Sequence, residues 1–205
     1  MNLSLRLAWR NLWRQPKRTW LTTGAMVFSN LLLVFLMSMQ VGMYKMMIDN
    51  TLQLFAGHLQ IQAPGYIDDQ KMRQVVPDIL ALAENVREEL QTDTVAARGW
   101  TFALASSEDR SYGIAIYGVE ADYEAKVSTV PGLVREGRFL ADNHSAEVVI
   151  GQVLARNLQV GLGDEITIMG SGLDGSFSAA VLDVVGIIDT GVPDLDRSIA
   201  EMPIG

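Results

Sequence analysis

Few residues in this 205-residue chain are of types and spacings that could do covalent chemistry. The histidines are His58 and His144, far apart in sequence and without a carboxylate at ligand-like spacing, so they do not suggest a metal site. There is no cysteine, which removes disulfides, thiolate nucleophiles and thiolate metal ligands. Asp68-Asp69, Glu88-Glu89 and Glu108-Asp109 are adjacent pairs, and neighbours on a helix or strand point apart instead of converging on a substrate. Asp194 and Asp196 could touch a cation, but no calcium-loop pattern follows and a turn accounts for them better. Gly170-Ser171-Gly172-Leu173-Asp174-Gly175 fits G-x-G-x-x-G, which cradles a pyrophosphate only where a strand leads into a helix. Here it leads into Ser176 to Val181, which reads as another strand, so a hairpin loop is expected. No lysine is preceded by glycine and followed by Ser or Thr, so the chain carries no P-loop and is not expected to hydrolyse ATP itself. These residues imply neither an enzyme nor a cofactor.

The elements that would position such residues fall into an α+β order. Gly57 to Gln62 alternates polar and apolar side chains, as a half-buried strand does, and a loop from Ala63 to Pro77 follows. Asp78 is a plausible N-cap for a helix that carries Ile79, Leu82, Val86 and Leu90 on one face. Strand patterning then covers Val95 to Ala105, Tyr112 to Val119, Glu147 to Ile150, Glu165 to Met169 and Ala179 to Ile188. A short helix, Gln152 to Gln159, interrupts these strands. Gly161-Leu162-Gly163-Asp164 predicts a turn before a strand, and Asp174-Gly175 predicts a reversal.

The N-terminal quarter is chemically opposite to the rest. Every ionised residue before Asp49 is basic, so residues 1–48 carry +6; with the whole chain at −8, the remainder carries −14. From Thr19 to Tyr44 there are 26 residues without a charge, roughly 39 Å of helix at 1.5 Å per residue, enough to cross a bilayer with tilt. A cleaved signal peptide would have a shorter apolar core, and Leu31 to Met39 runs on without a small-x-small site. Thr22, Thr23, Ser29, Asn30, Ser38 and Gln40 dilute the span; such groups bond a neighbouring helix or their own backbone carbonyls, and neighbouring helices are expected. Ahead of the span, Arg6, Arg10, Arg14 and Lys17 recur at helical spacing beside Leu5, Trp9, Leu12 and Trp13, and Arg18 follows. This suits an amphipathic interfacial helix, with a plain basic flank as the alternative. Pro16 should break the chain there and restart it as the membrane helix. The predicted organisation is a cytoplasmic juxtamembrane helix over 1–15, a transmembrane helix over 16–45 and an extracytoplasmic mixed α+β domain over 46–205. The positive-inside rule puts Met1 in the cytoplasm.

Read together, the segments resemble the MacB/FtsX/LolC-type ABC-transporter permease family, in its N-terminal membrane helix and periplasmic core domain. The resemblance rests on Arg10-Asn11-Leu12, Arg14 and Arg18-Thr19 ahead of the span, and on Gly57-His58-Leu59-Gln60-Ile61 and Gly65-Tyr66 after it. More specific is the ordered series Gly137-Arg138-Phe139-Leu140, Glu147-Val148-Val149-Ile150-Gly151, Leu154-Ala155, Gly163-Asp164, Val185-Gly186-Ile187, Thr190-Gly191, Leu195-Asp196 and Met202-Pro203. The resemblance implies a permease subunit that pairs with a second permease subunit and docks a separate cytoplasmic ABC ATPase. It also implies a lipoprotein, lipid, peptide or drug cargo, a bacterial inner-membrane location and no nucleic-acid partner. The family's permeases continue through three further membrane helices, so a chain ending at Gly205 is expected to be a fragment. The alternative expectation is a single-pass, membrane-anchored binding or adaptor protein. The basic and aromatic residues Arg6, Trp9, Arg10, Trp13, Arg14, Lys17 and Arg18 are expected at the cytoplasmic membrane interface, beside lipid.

Overall fold

The computed structural model describes residues 9–10, 13–51, 57–68 and 74–205. The chain divides into two compact units, Met1–Thr51 and Leu52–Gly205.

The first unit is dominated by one helix, α1 (Pro16–Thr51, 36 residues). Pro16 stands at its first position, where the missing N–H is no loss and the fixed φ suits a helix start. From Trp20 to Ile48 every side chain is exposed, so α1 is not a core helix of this chain. Pro16–Ile48 is long and apolar enough to cross a membrane. Two of the polar residues in the span satisfy themselves along the helix. Thr22 Oγ1 donates to the Arg18 carbonyl at 3.0 Å, and Asn30 Nδ2 to the Met26 carbonyl at 3.0 Å. This back-bonding removes most of the penalty of a hydroxyl or amide in hydrocarbon.

The second unit is a mixed α+β domain. Its elements are α2 (Ile79–Leu90), β1 (Arg98–Ser106), β2 (Ser111–Val119), α3 (Ala121–Val127), a 3₁₀ turn (Val130–Leu133) and β3 (Val134–Gly137). They continue with β4 (Glu147–Gly151), α4 (Gln152–Leu158), β5 (Glu165–Ser171), β6 (Phe177–Ile188), α5 (Pro193–Asp196) and β7 (Ile199–Pro203). The seven strands form one sheet in the order β3-β6-β4-β7-β2-β1-β5, with β5 also paired to β6. The pairs β2–β7 and β4–β6 are parallel and the others antiparallel, as the α+β reading requires.

β6 divides its 12 residues between two jobs. Phe177–Asp183 pairs β5 in a hairpin, and Asp183–Ile188 pairs β4. The hairpin is closed by the glycine-rich loop: Gly175 takes a φ of +84°, Ser176 N–H donates to Asp174 Oδ1 at 2.9 Å, and Gly172 N–H to the Ser176 carbonyl at 2.8 Å. The expected hairpin is therefore present, and the loop leads into no helix.

The core lies on both faces of the sheet. One face packs Ile114, Ile150, Ile166, Leu182 and Val184 with Leu154 and Leu158 of α4. The other packs Val119, Val149, Ile188 and Ile199 with Val130 and Leu140. β2, β4, β5 and β6 extend a residue or two past the predicted termini, whereas β1 starts at Arg98, three residues after the predicted Val95.

Two expectations are corrected. Gly57–Gln62 is not a strand: among the described residues it has no ladder partner, and Leu59 and Ile61 are 87% and 57% exposed. Alternation alone cannot supply the neighbouring strand that a half-buried ladder needs. Asp78 does precede α2, but its own backbone is left-handed (φ 46°) and its side chain caps nothing; Leu90 on the predicted apolar face is 65% exposed. Instead, Ala83 is the buried contact of α2.

Candidate functional site

At the N-terminal end, Trp9 and Arg10 are helical, and Trp13 to Gln15 turn into α1. The rings of Trp9 and Trp13 meet edge to face with centroids 6.4 Å apart, and both are exposed. Arg10, Arg14, Lys17 and Arg18 are exposed as well. Arg6, Leu5 and Leu12 lie outside the described residues, as does Asp69. The aromatic pair presents two amphipathic rings, the chemistry that suits a headgroup layer.

The histidines are separate exposed residues; His144 contributes its backbone N–H to Asp142 Oδ1 at 2.8 Å in a loop. Among the described residues no group of three His, Cys, Asp or Glu lies close enough to hold a metal ion. Glu88, Glu89, Glu108 and Asp109 are exposed. Asp194 and Asp196 part company. Asp194 is exposed, whereas Asp196 is buried and its Oδ1 accepts from Thr190 N–H at 3.0 Å and Thr190 Oγ1–H at 2.8 Å, which ties the 190–196 turn together.

The ordered motif series gathers around β3, β4, β6 and α5. Gly137 sits at φ +80° with no room for a Cβ against the Val185 carbonyl, and a Cβ on Gly151 would collide with the Asp196 carbonyl. Arg138 forks onto Glu147, which also accepts the Ala141 N–H at 3.1 Å. The Arg138 bond holds the Glu147 carboxyl below its ordinary range, with burial opposing and the Ala141 N–H assisting. Tyr66 of the Gly65-Tyr66 motif accepts a hydrogen bond from Trp100 Nε1–H at 2.7 Å.

Sequence reasoning missed two features. The first is a buried charge network under α3. Arg87 of α2 forks onto Glu120 with both contacts at 2.9 Å, donates to the Val95 carbonyl at 2.9 Å and lies 3.7 Å from the centre of the Tyr123 ring. Glu120 also accepts the Ala97 N–H at 3.0 Å. The Glu120 bond raises the Arg87 pKa against the desolvation of burial. One turn later, Arg98 of β1 forks onto Glu124, whose Oε2 receives Nε–H at 3.0 Å. Opposite them is Glu201 on β7, 1% exposed, with Oε2 buried and unpartnered. Desolvation first, then the Glu124 charge, push its pKa up to about 8, with Arg98 opposing. The visible signals were Glu120 and Glu124 at i, i+4 spacing and a lone acid inside the apolar run Ile199–Pro203.

The second is an open apolar sheet face. Along β1 the small residues Thr101, Ala103 and Ala105 turn to the α4 side, while Trp100, Phe102 and Leu104 turn outward and are 43%, 68% and 41% exposed. Trp100 and Phe102 stack edge to face at 5.2 Å. Registers Leu104↔Met169 and Met169↔Ala179 carry the row across β5 to β6, where Phe177 and Val181 are exposed beside it. None of these outward side chains is charged. Such a row is a surface for binding and not for bond making.

With the apolar helix, the two-faced sheet and the motif positions in place, comparison decides the family. The family model of the MacB-like periplasmic core domain matches residues 19–202. The chain belongs to this family. Among solved structures, the extracellular domain of the noncanonic ABC-type transporter YknZ from Gram-positive bacteria aligns with a TM-score of 0.50 and 15% identity, over 70% of this chain and 71% of that one. It shares the fold. Nothing among the curated proteins matches this chain. The core domain here is thus of the type that ABC transporter permeases carry outside the membrane, joined to a helix that can anchor it.

Proposed function

We propose that this chain is a permease subunit, or its N-terminal part, of an ABC transporter in which ATP hydrolysis by a separate cytoplasmic subunit moves the core domain. The observation that carries the reading is the family match, which begins inside α1 and runs to β7, so helix and domain belong to one unit of design. In this reading residues 16–45 cross an inner membrane and 1–15 lie on its cytoplasmic face. Arg6, Trp9, Arg10, Trp13, Arg14, Lys17 and Arg18 then hold the interface, and residues 46–205 stand in the periplasm. The +6 of residues 1–48 against the −14 of the rest supports that orientation.

A second permease copy, identical or related, completes the transporter, and the cargo is a lipoprotein, lipid, peptide or drug taken from the outer leaflet or periplasm. The domain's work is to bind and move: Arg87, Arg98 and Arg138 are engaged in internal ion pairs, and its outward β1–β5–β6 row is apolar. Affinity purification of the native full-length protein from membranes tests the reading. A stoichiometric P-loop ATPase in the eluate is expected, and a native complex that lacks one overturns the proposal.

A further inference from the structure

Glu201 lies in the middle of the sheet, opposite Tyr117 of β2 and Val149 of β4. The ionisable groups facing it from the elements around it are Tyr117 on β2, Glu124 on α3 and Arg98 on β1; β4 offers only Val149. Tyr117 is itself held above its usual pKa, by burial first and then by Glu201. Glu124 is fully buried and takes both arms of Arg98. One guanidinium therefore serves two buried carboxyls and has committed its fork to one of them. Among the described residues Glu201 Oε2 has no donor, and the atom is buried. An ionised carboxylate in that setting lacks compensation, whereas a protonated one needs only a neutral site.

We propose that Glu201 is a proton-binding site that controls a latch: with its proton bound, Arg98 stays locked on Glu124 and pins α3 to β1. Loss of the proton creates a second buried anion beside Glu124, draws Arg98 toward Glu201 and releases α3 from the sheet. The device needs no ligand but a proton. It places a conformational step of the core domain under the pH of its own compartment.

The sign follows from linkage. The folded pKa is raised above the ordinary carboxyl value, so the stabilisation is fully present below about 4.5 and is lost as pH climbs through about 8. Hydrogen–deuterium exchange on the full chain in detergent micelles tests the latch through the amides of residues 121–128. Protection in the wild type, divided by that in Glu201→Gln at the same pH, should fall by up to about tenfold per pH unit across the window. The variant ratio cancels the intrinsic pH dependence of exchange. A ratio that stays constant with pH overturns the proposal. Infrared spectroscopy of the wild type in deuterated buffer guards against a variant that fails to fold. A protonated carboxyl stretch present at neutral pH and titrating near about 8 supports the site, and its absence sinks it.

Discussion

Arg87 shows how much one side chain can hold. Its guanidinium joins α2 to Glu120, to the Val95 carbonyl and to the Tyr123 ring, with side-chain exposures of 10% for Arg87 and 5% for Glu120. Removing one partner of a buried pair leaves the other charged and unsatisfied, at about 3–5 kcal/mol. Arg87→Met should therefore lower domain stability by about that much in chemical denaturation, and adding Glu120→Gln should restore part of the loss. An additive double mutant would mean that the pair is not coupled. Arg138 and Glu147 act on the other limb of the pH curve. The Glu147 pKa is lowered, so its contribution is present above the ordinary value of 4.5 and is lost as pH falls through the lower, folded value. Arg138→Met should shrink the acid-side loss of melting temperature below about pH 4.5, measured by circular dichroism, while leaving the slope near neutral pH unchanged.

At the scale of elements, the motif glycines mark backbone crossings. Gly151 joins β4 to α4 directly against the Asp196 carbonyl, so Gly151→Ala must push the α5 turn away from β4. Overpacking of this kind costs about 1–3 kcal/mol, whereas Gly132→Ala, with open space around its Cβ position, should fall within about 0.5 kcal/mol of wild type. Equal effects in the two variants would refute the crossing argument. Helix and strand positions were largely readable because the buried strand Glu147–Gly151 and the buried end of Phe177–Ile188 are dense in Val and Ile. What escaped were short elements whose only support is tertiary. β3 has four residues, α5 has four, and β7 carries Glu201 in its centre. The faces of β1 were equally hidden: its large residues point out, while Ala103 and Ala105 turn into the core cluster that holds Leu154 and Leu158 of α4. Periodicity of two gives two faces but not which one meets the core. The charge network was legible only in part, in the i, i+4 spacing of Glu120 and Glu124, since Arg87, Arg98, the Glu120–Glu124 pair and Glu201 come from four separate elements of the chain.

For the whole molecule, charge and length govern placement. The first 48 residues carry +6 and no acid, so Arg10→Glu with Arg14→Glu should weaken or invert the orientation of the chain in a membrane. Protease added to spheroplasts is the readout, and unchanged cleavage of the acidic domain would count against a charge-set topology. α1 reaches roughly 54 Å at 1.5 Å per residue, well beyond a hydrocarbon core of about 30 Å. If α1 crosses the bilayer as proposed, it tilts or stands proud on at least one side.

The divided strand β6 gives the domain a mechanical direction. Its 12 residues form a bar of roughly 40 Å, gripped by β4 and β3 at one end and paired only with β5 at the other. Tension along the bar loads the parallel β4 ladder in shear, so its hydrogen bonds share the force and yield together. A sideways pull at the Gly172–Ser176 tip peels the β5 ladder one rung at a time. The core domain is thus stiff to a pull along β6 and soft to one across it.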